Sequence, residues 1–230
     1  MRKALFTGKM RLADVIQSNP NLIPTLSRLN IPFGFGNKRV CEVCEQHGLS
    51  TSFFLLIANV YTFKEFNPSA EQITSADIAA TVRYLKASHL YYKENRLPHI
   101  GGHLEKIVKC VEPKLARALR KFFTEYCEEL EEHFAYEENT VFPYVEALAT
   151  GNAVEPATFD KLASRHSDID EKLDDLTQII WKYLPETVIP DEAVSIVFDI
   201  LQLSEDIRKH SLIEDKIVVR FAMLSNETVK

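Results

Sequence analysis

Four histidines and two glutamates of this chain stand where a helical repeat reserves room for buried apolar side chains. His133 and Glu137 are four residues apart, and His210 and Glu214 repeat that spacing. Residues four apart are neighbours on one helix face, so each pair presents an imidazole nitrogen and a carboxylate oxygen to the same side. His89 and His166 each take one position in the apolar stripe of two further segments. Burying an unpartnered carboxylate costs several kcal/mol, so two glutamates in one core require a strong positive charge between them. Two metal ions supply it, with Glu137 and Glu214 bridging and each ion taking two of the imidazoles of His89, His133, His166 and His210. Imidazole and carboxylate without thiolate suit iron, manganese or zinc, and iron is the ion expected in a helical bundle. Such a set leaves positions open for water, an oxo or hydroxo bridge or a diatomic ligand, which a closed structural zinc site does not.

The segments that must position these groups alternate apolar residues three and four apart, the pattern of packed helices. The first carries Ile78, Val82, Leu85, His89 and Tyr92, then resumes one residue out of phase at Leu97, Ile100, Leu104, Ile107 and Val111. Pro98 and Gly101-Gly102 predict a kink there. The second opens after Pro113, a favourable first-turn position, and presents Leu119, Phe123, Tyr126, Leu130, His133, Glu137 and Tyr144, with Pro143 expected to bend it just past the site. The third reads Phe159, Leu162, His166, Ile169, Leu173, Leu176 and Ile180. The fourth reads Ala193, Ile196, Ile200, Leu203, Ile207, His210, Glu214, Ile217 and Phe221.

In an up-down bundle, residues equally far from a shared turn lie at one height. With the first turn near 112, His89 lies 23 residues before it and His133 lies 21 after it. With the last turn near 187, His166 lies 21 before and His210 lies 23 after. A two-residue mismatch is about 3 Å at a rise of roughly 1.5 Å per residue. The middle turn near 152 gives 19 and 14, which a longer loop around Thr150-Gly151-Asn152 absorbs.

The remaining candidates read as structure. His47 precedes Gly48 at a helix end, His99 follows Pro98 and faces solvent, and His103 is 14 residues from His89. Tyr92, Tyr126, Tyr136, Phe134 and Phe142 read as core, and Glu138 as a solvated neighbour of Glu137. Cys41-Glu42-Val43-Cys44 is a single C-x-x-C, which on a helix is incidental.

At 46% hydrophobic residues with only seven glycines among 230, the chain reads as all-α and amply long for a core. Residues 1–68 read as a small helical domain of short segments broken by Pro20, Pro24, Pro32 and the Gly34-Phe35-Gly36-Asn37 turn, and 72–226 as the up-down four-helix bundle. Thr74 or Ser75 is the expected cap of the first long helix. The net charge of −6 disfavours nucleic acid. No apolar run approaches the roughly 20 residues of a membrane span, and the start Met1-Arg2-Lys3-Ala4-Leu5-Phe6 turns polar too soon for a signal peptide. A cytoplasmic protein with reduced thiols is expected, its assembly left open, a homodimer included.

These residues resemble the hemerythrin-like family, and more closely the repair-of-iron-centres proteins, which protect or rebuild iron–sulfur clusters after nitric oxide or peroxide stress. The resemblance rests on His89 near Asn95-Arg96-Leu97-Pro98, on His133-x-x-x-Glu137-Glu138 followed by Val141-Phe142-Pro143, on His166-Ser167-Asp168 and on His210-x-x-x-Glu214-Asp215. It implies a hemerythrin-like bundle in which those six residues ligate two irons, the glutamates bridging. The N-terminal segment is similar to that family's small helical domain through Leu12-Ala13-Asp14, Ile31-Pro32-Phe33 and Gly36-Asn37-Lys38. The family's adjacent Cys-Cys pair appears here as Gly34-Phe35, with Cys41 and Cys44 a few residues on.

The function implied is a non-haem di-iron protein that repairs or protects clusters by donating iron, with damaged iron–sulfur proteins as partners and no catalytic residue required. A sensor or carrier of O₂ or NO is the second expectation. A metal-free helical interaction module is the third.

Overall fold

Helix is the only regular secondary structure among the described residues, which in this computed structural model are 4–152, 160–186, 188 and 190–227, apart from an isolated bridge between Arg11 and Arg39. Phe159, the side chain of Leu162 and the turn at 187 lie outside the described residues. The contacts divide the chain into two units. One comprises Met1–Ala87, Pro143–Pro156 and Leu212–Lys230; the other comprises Ser88–Phe142 and Ala157–Ser211. No helix among the described residues is long and apolar enough to cross a membrane.

The first unit contains the short helices α1 (Leu12–Ser18), α2 (Ile23–Arg28), α3 (Val40–Gln46) and α4 (Thr51–Thr62). Local chemistry sets their ends. The Ser50 hydroxyl accepts from Phe53 N–H at the start of α4, and Gly34 and Gly36, at φ 93° and 60°, take the left-handed turn that L side chains disfavour. Leu12, Val15, Leu26, Val43, Phe54 and Ile57 form their core. Asn59 closes the unit inward, its amide oxygen accepting from Phe6 N–H at 2.8 Å and its amide donating to Phe6 O at 3.3 Å. Cys44 packs into this core one turn from the half-buried Cys41, and burial pushes its thiol up to about 11. Cys44 therefore lacks the lowered thiol pKa of a redox-active cysteine.

The first long helix, α5 (Ser75–Tyr91), begins at a reciprocal cap. Thr74 Oγ1 accepts from Asp77 N–H at 3.2 Å while Asp77 Oδ2 accepts from Thr74 N–H at 2.9 Å. Thr74, of the two candidates, is the cap. Beyond α5 come α6 (Leu97–Ile107), α7 (Pro113–Tyr136), α8 (Phe142–Ala149), α9 (Asp160–Tyr183), α10 (Pro190–Ile213) and α11 (Arg220–Glu227). In the second unit, four helical runs bury one core that includes Ile100, Leu119, Leu130, Leu173, Leu176 and Ile200.

Three of these junctions are π turns, at Tyr92–Arg96, Glu137–Val141 and Glu214–Val219. A π turn inserts one residue into the helical repeat, which accounts for the slipped stripe at Leu97. The same slip corrects two expectations. After Glu137 the buried residues include Val141, Phe142 and Val145, and Tyr144 is only half-buried; after Ile217 they are Val218 and Ala222, and Phe221 is half-buried. Pro98 and Pro143 are each the second residue of the helix that follows a π turn. A proline there cannot donate to the preceding turn and crowds its carbonyl, so the widened turn falls just before it, and α6 runs on through Gly101-Gly102. No proline stands behind the third π turn, and nothing else in its sequence accounts for it.

Tyr126 is wholly buried on α7, and its hydroxyl has no hydrogen-bond partner among the described residues. Burial pushes its phenol well above the usual range. An unsatisfied buried hydroxyl costs about 1–3 kcal/mol, so Tyr126→Phe is expected to match or exceed the parent stability by about 1 kcal/mol in denaturant unfolding. A loss of comparable size would show that the hydroxyl has a partner.

Candidate metal centre

His89 lies in the last turn of α5, His133 in the last turn of α7, His166 on α9 and His210 in the last turn of α10, and Glu137 is the first residue of the second π turn. All five are buried, Glu137 completely. They converge on that carboxylate. Glu137 Oε1 lies 2.7 Å from His133 Nε2 and 3.6 Å from His166 Nε2; Oε2 lies 3.0 Å from His89 Nε2 and 3.9 Å from His210 Nε2. His89 and His210 bring their Nε2 atoms to 3.1 Å. Thus His89, Glu137 and His210 each offer an atom within 4.8 Å of the others, and so do His133, Glu137 and His166. The carboxylate divides the four imidazoles into two pairs, one to each oxygen.

The family model described as the hemerythrin HHE cation binding domain matches residues 95–222, more than half of the chain. This chain belongs to the hemerythrin family. Among curated proteins none matches it. The matched span of this hemerythrin chain holds His133, Glu137, His166, His210 and Glu214 but begins after His89. The structure nevertheless places His89 among the others. Glu214 is wholly buried, one helical turn beyond His210 and at the first position of the third π turn. His47 is exposed at the end of α3, and His99 and His103 lie on α6 away from Glu137.

Protonation shows what the hemerythrin donor set fits. His89 Nδ1 donates to Glu138 Oε1 at 2.7 Å. With that proton on Nδ1, the neutral tautomer would present an Nε2 lone pair toward the Glu137 carboxylate at 3.0 Å and His210 Nε2 at 3.1 Å, the form a metal ion requires. Acceptors facing acceptors in a dry interior repel unless a cation lies among them. Burial pushes the Glu137 carboxyl up, and with no cation present it is Nε2–H groups of His133, His166, His210 and His89 donating to it that hold it well below the usual carboxylate range; a cation in their place does the same with the Nε2 lone pairs facing it. The charged form is the one the site is built around, and two cations held between it and the imidazole pairs fit these residues.

Two neighbours hold the candidate ligands in place. Phe134 stacks on His89, ring centroids 4.0 Å apart and 13° from parallel, and Phe142 stacks at 5.7 Å. Glu138, expected in solvent, is instead a part-buried partner of His89. Its only sequence signal is that it adjoins Glu137, where the widened π turn brings consecutive residues toward one side. Carboxylates that orient a ligating imidazole typically contribute 10–100-fold to metal affinity. Glu138→Ala is therefore expected to weaken metal retention by about 10–100-fold against a competing chelator, with unchanged helix content by circular dichroism.

Proposed function

We propose that this chain is a non-haem di-iron protein that protects or repairs iron–sulfur clusters under nitrosative or oxidative stress, acting in the cytoplasm and donating iron to damaged cluster proteins. In this reading the two ions lie in the His89–His210 and His133–His166 pairs, with Glu137 and Glu214 as the shared carboxylates. The carrying observation is that four buried imidazole nitrogens face the two oxygens of one carboxylate. Iron bound there supplies redox chemistry and Lewis acidity at positions the protein leaves open. The chain's own residues do the rest. Glu138 fixes the His89 tautomer, while Phe134 and Phe142 keep water from one side of that ring.

Release favours donation over permanent storage, and a cleft of about 450 Å³ supports it. The cleft reaches His133 and is lined by Glu129, Glu132, Glu171 and Asp175, with Lys172 paired to Glu129. Such a wall attracts cations and repels anions. Fe(II) stands low in the affinity order of divalent ions for nitrogen and oxygen donors without thiolate, which favours passing it on.

The test combines the iron-loaded protein with an iron–sulfur enzyme inactivated by nitric oxide. Recovery of activity with matching loss of iron from this chain is the expected result. Retained iron, no recovery and reversible binding of O₂ or NO would replace this reading with a sensor or carrier.

A further inference from the structure

A second group of donors lies on the surface of α6 and α10, outside the buried centre. His99 and His103 are one turn apart on α6, their rings 4.8 Å apart and 80° from parallel. Both turn Nε2 toward the same oxygen, Asp199 Oδ2 on α10, at 3.2 and 3.8 Å. We propose that His99, His103 and Asp199 form a second metal site, for a divalent transition ion such as Zn(II), open to solvent at its remaining positions. It does not rest on the reading of the buried centre, since His103 lies roughly 21 Å along the helix from His89 at 1.5 Å per residue.

Three features carry the assignment. First, the spacing fits. Donors held about 2.1 Å from one tetrahedral ion are roughly 3.4 Å apart, and the two nitrogen–oxygen separations fall on either side of that value. Second, the donors are oriented by partners of their own. His103 Nδ1 donates to Glu192 Oε2 at 2.9 Å, which leaves the Nε2 lone pair facing Asp199, and Lys106 holds Glu192 from the other side at 3.0 Å. Asp199 Oδ1 accepts from the Arg96 guanidinium at 3.1 Å, leaving Oδ2 for the site. An imidazole backed by a carboxylate is the usual setting of a metal-ligating histidine. Third, access is direct, for His99 is 55% exposed while His103 and Asp199 are 17% and 15% exposed. Two imidazoles and one carboxylate select a borderline transition ion over magnesium or calcium, which prefer all-oxygen sites.

The test is Zn(II) titration of the full-length protein, carrying its buried metal as isolated, against a chromophoric chelator. The expected result is one saturable Zn(II) equivalent that is lost in His99→Ala and in His103→Ala, kept in His47→Ala, and weakened about 10–100-fold in Glu192→Gln. The buried metal content and the circular dichroism spectrum stay constant throughout. His99 is mostly solvated, so its loss leaves folding intact and isolates the binding effect. No saturable uptake by the parent protein, or uptake unchanged in the His99→Ala/His103→Ala double variant, overturns the site and leaves an ordinary histidine–aspartate surface pair.

Discussion

Glu137→Ala is expected to empty both positions of the centre, where His210→Ala empties chiefly one. The asymmetry follows from geometry. Each histidine faces one oxygen of Glu137, whereas the carboxylate serves both imidazole pairs, through Oε1 for His133 and His166 and Oε2 for His89 and His210. Removing it takes away one of the two carboxylates read as shared, the one that faces all four imidazoles, and leaves two nearby cations with half of the charge that separates them. Mutual repulsion of unit charges 4 Å apart is about 4 kcal/mol at an effective dielectric of 20, and doubly charged ions repel more strongly still. Metal content by mass spectrometry of protein made in iron-rich medium should fall from about two ions per chain to near none in Glu137→Ala, and to about one in His210→Ala, with His47→Ala as an unaffected control. Equal, partial loss in Glu137→Ala and His210→Ala would mean that Glu137 is not shared.

The same variants separate ligation from folding. A bound ion stabilises only the native chain, by about 2.7 kcal/mol at a free concentration one hundred times its Kd. Chelation should therefore lower the melting temperature of the parent protein and leave Glu137→Ala unmoved. Without metal the variant also loses a buried charge, so it should be no less stable than the stripped parent.

The candidate site was legible in sequence because its residues break a pattern. A histidine at 89, 133, 166 or 210, where the repeat calls for an aliphatic residue, has no cheap explanation in a dry core, and a glutamate at 137 or 214 has even less. The helical class followed from the same repeat and from the scarcity of glycine. What sequence did not disclose lies in the second layer. Glu138 follows Glu137 directly, and on a regular α-helix consecutive residues point about 100° apart, which argued for solvent. The π turn that changes this angle is marked in the sequence only by Pro143 behind it, which reads as a bend rather than a widened turn. The prolines at 98 and 143 were legible as irregularities, but the widened turn falls before each of them rather than at it. The one-residue slip of the stripe at Leu97 was visible; the corresponding slips at Val145 and Ala222 were hidden by neighbouring apolar residues at 144 and 221 that fit the unslipped repeat equally well.

Phe134→Ala is the largest stability change expected from a residue that ligates nothing. The ring is buried and packed among ligands and their supports: it stacks on His89 at 4.0 Å and meets Tyr92, His133 and His210 at 5.9–6.0 Å. Truncating a buried phenylalanine to alanine costs about 3–5 kcal/mol in lost burial and residual cavity. At about 2–4 °C per kcal/mol for a chain of this size, the melting temperature should fall by roughly 6–20 °C. Phe134→Leu keeps most of the volume and should cost less than about 1.5 kcal/mol, but it removes the flat face against which the imidazole lies. The two substitutions therefore divide packing from positioning. If the ring serves only as filler, Phe134→Leu retains metal as well as the parent does. If it holds His89 in register with Glu137, Phe134→Leu loses metal affinity well beyond its small stability cost. We expect the second outcome, because His89 is fixed on one side by the Glu138 hydrogen bond and on its face by this ring, and an imidazole free to tilt about that single bond would carry Nε2 away from the carboxylate.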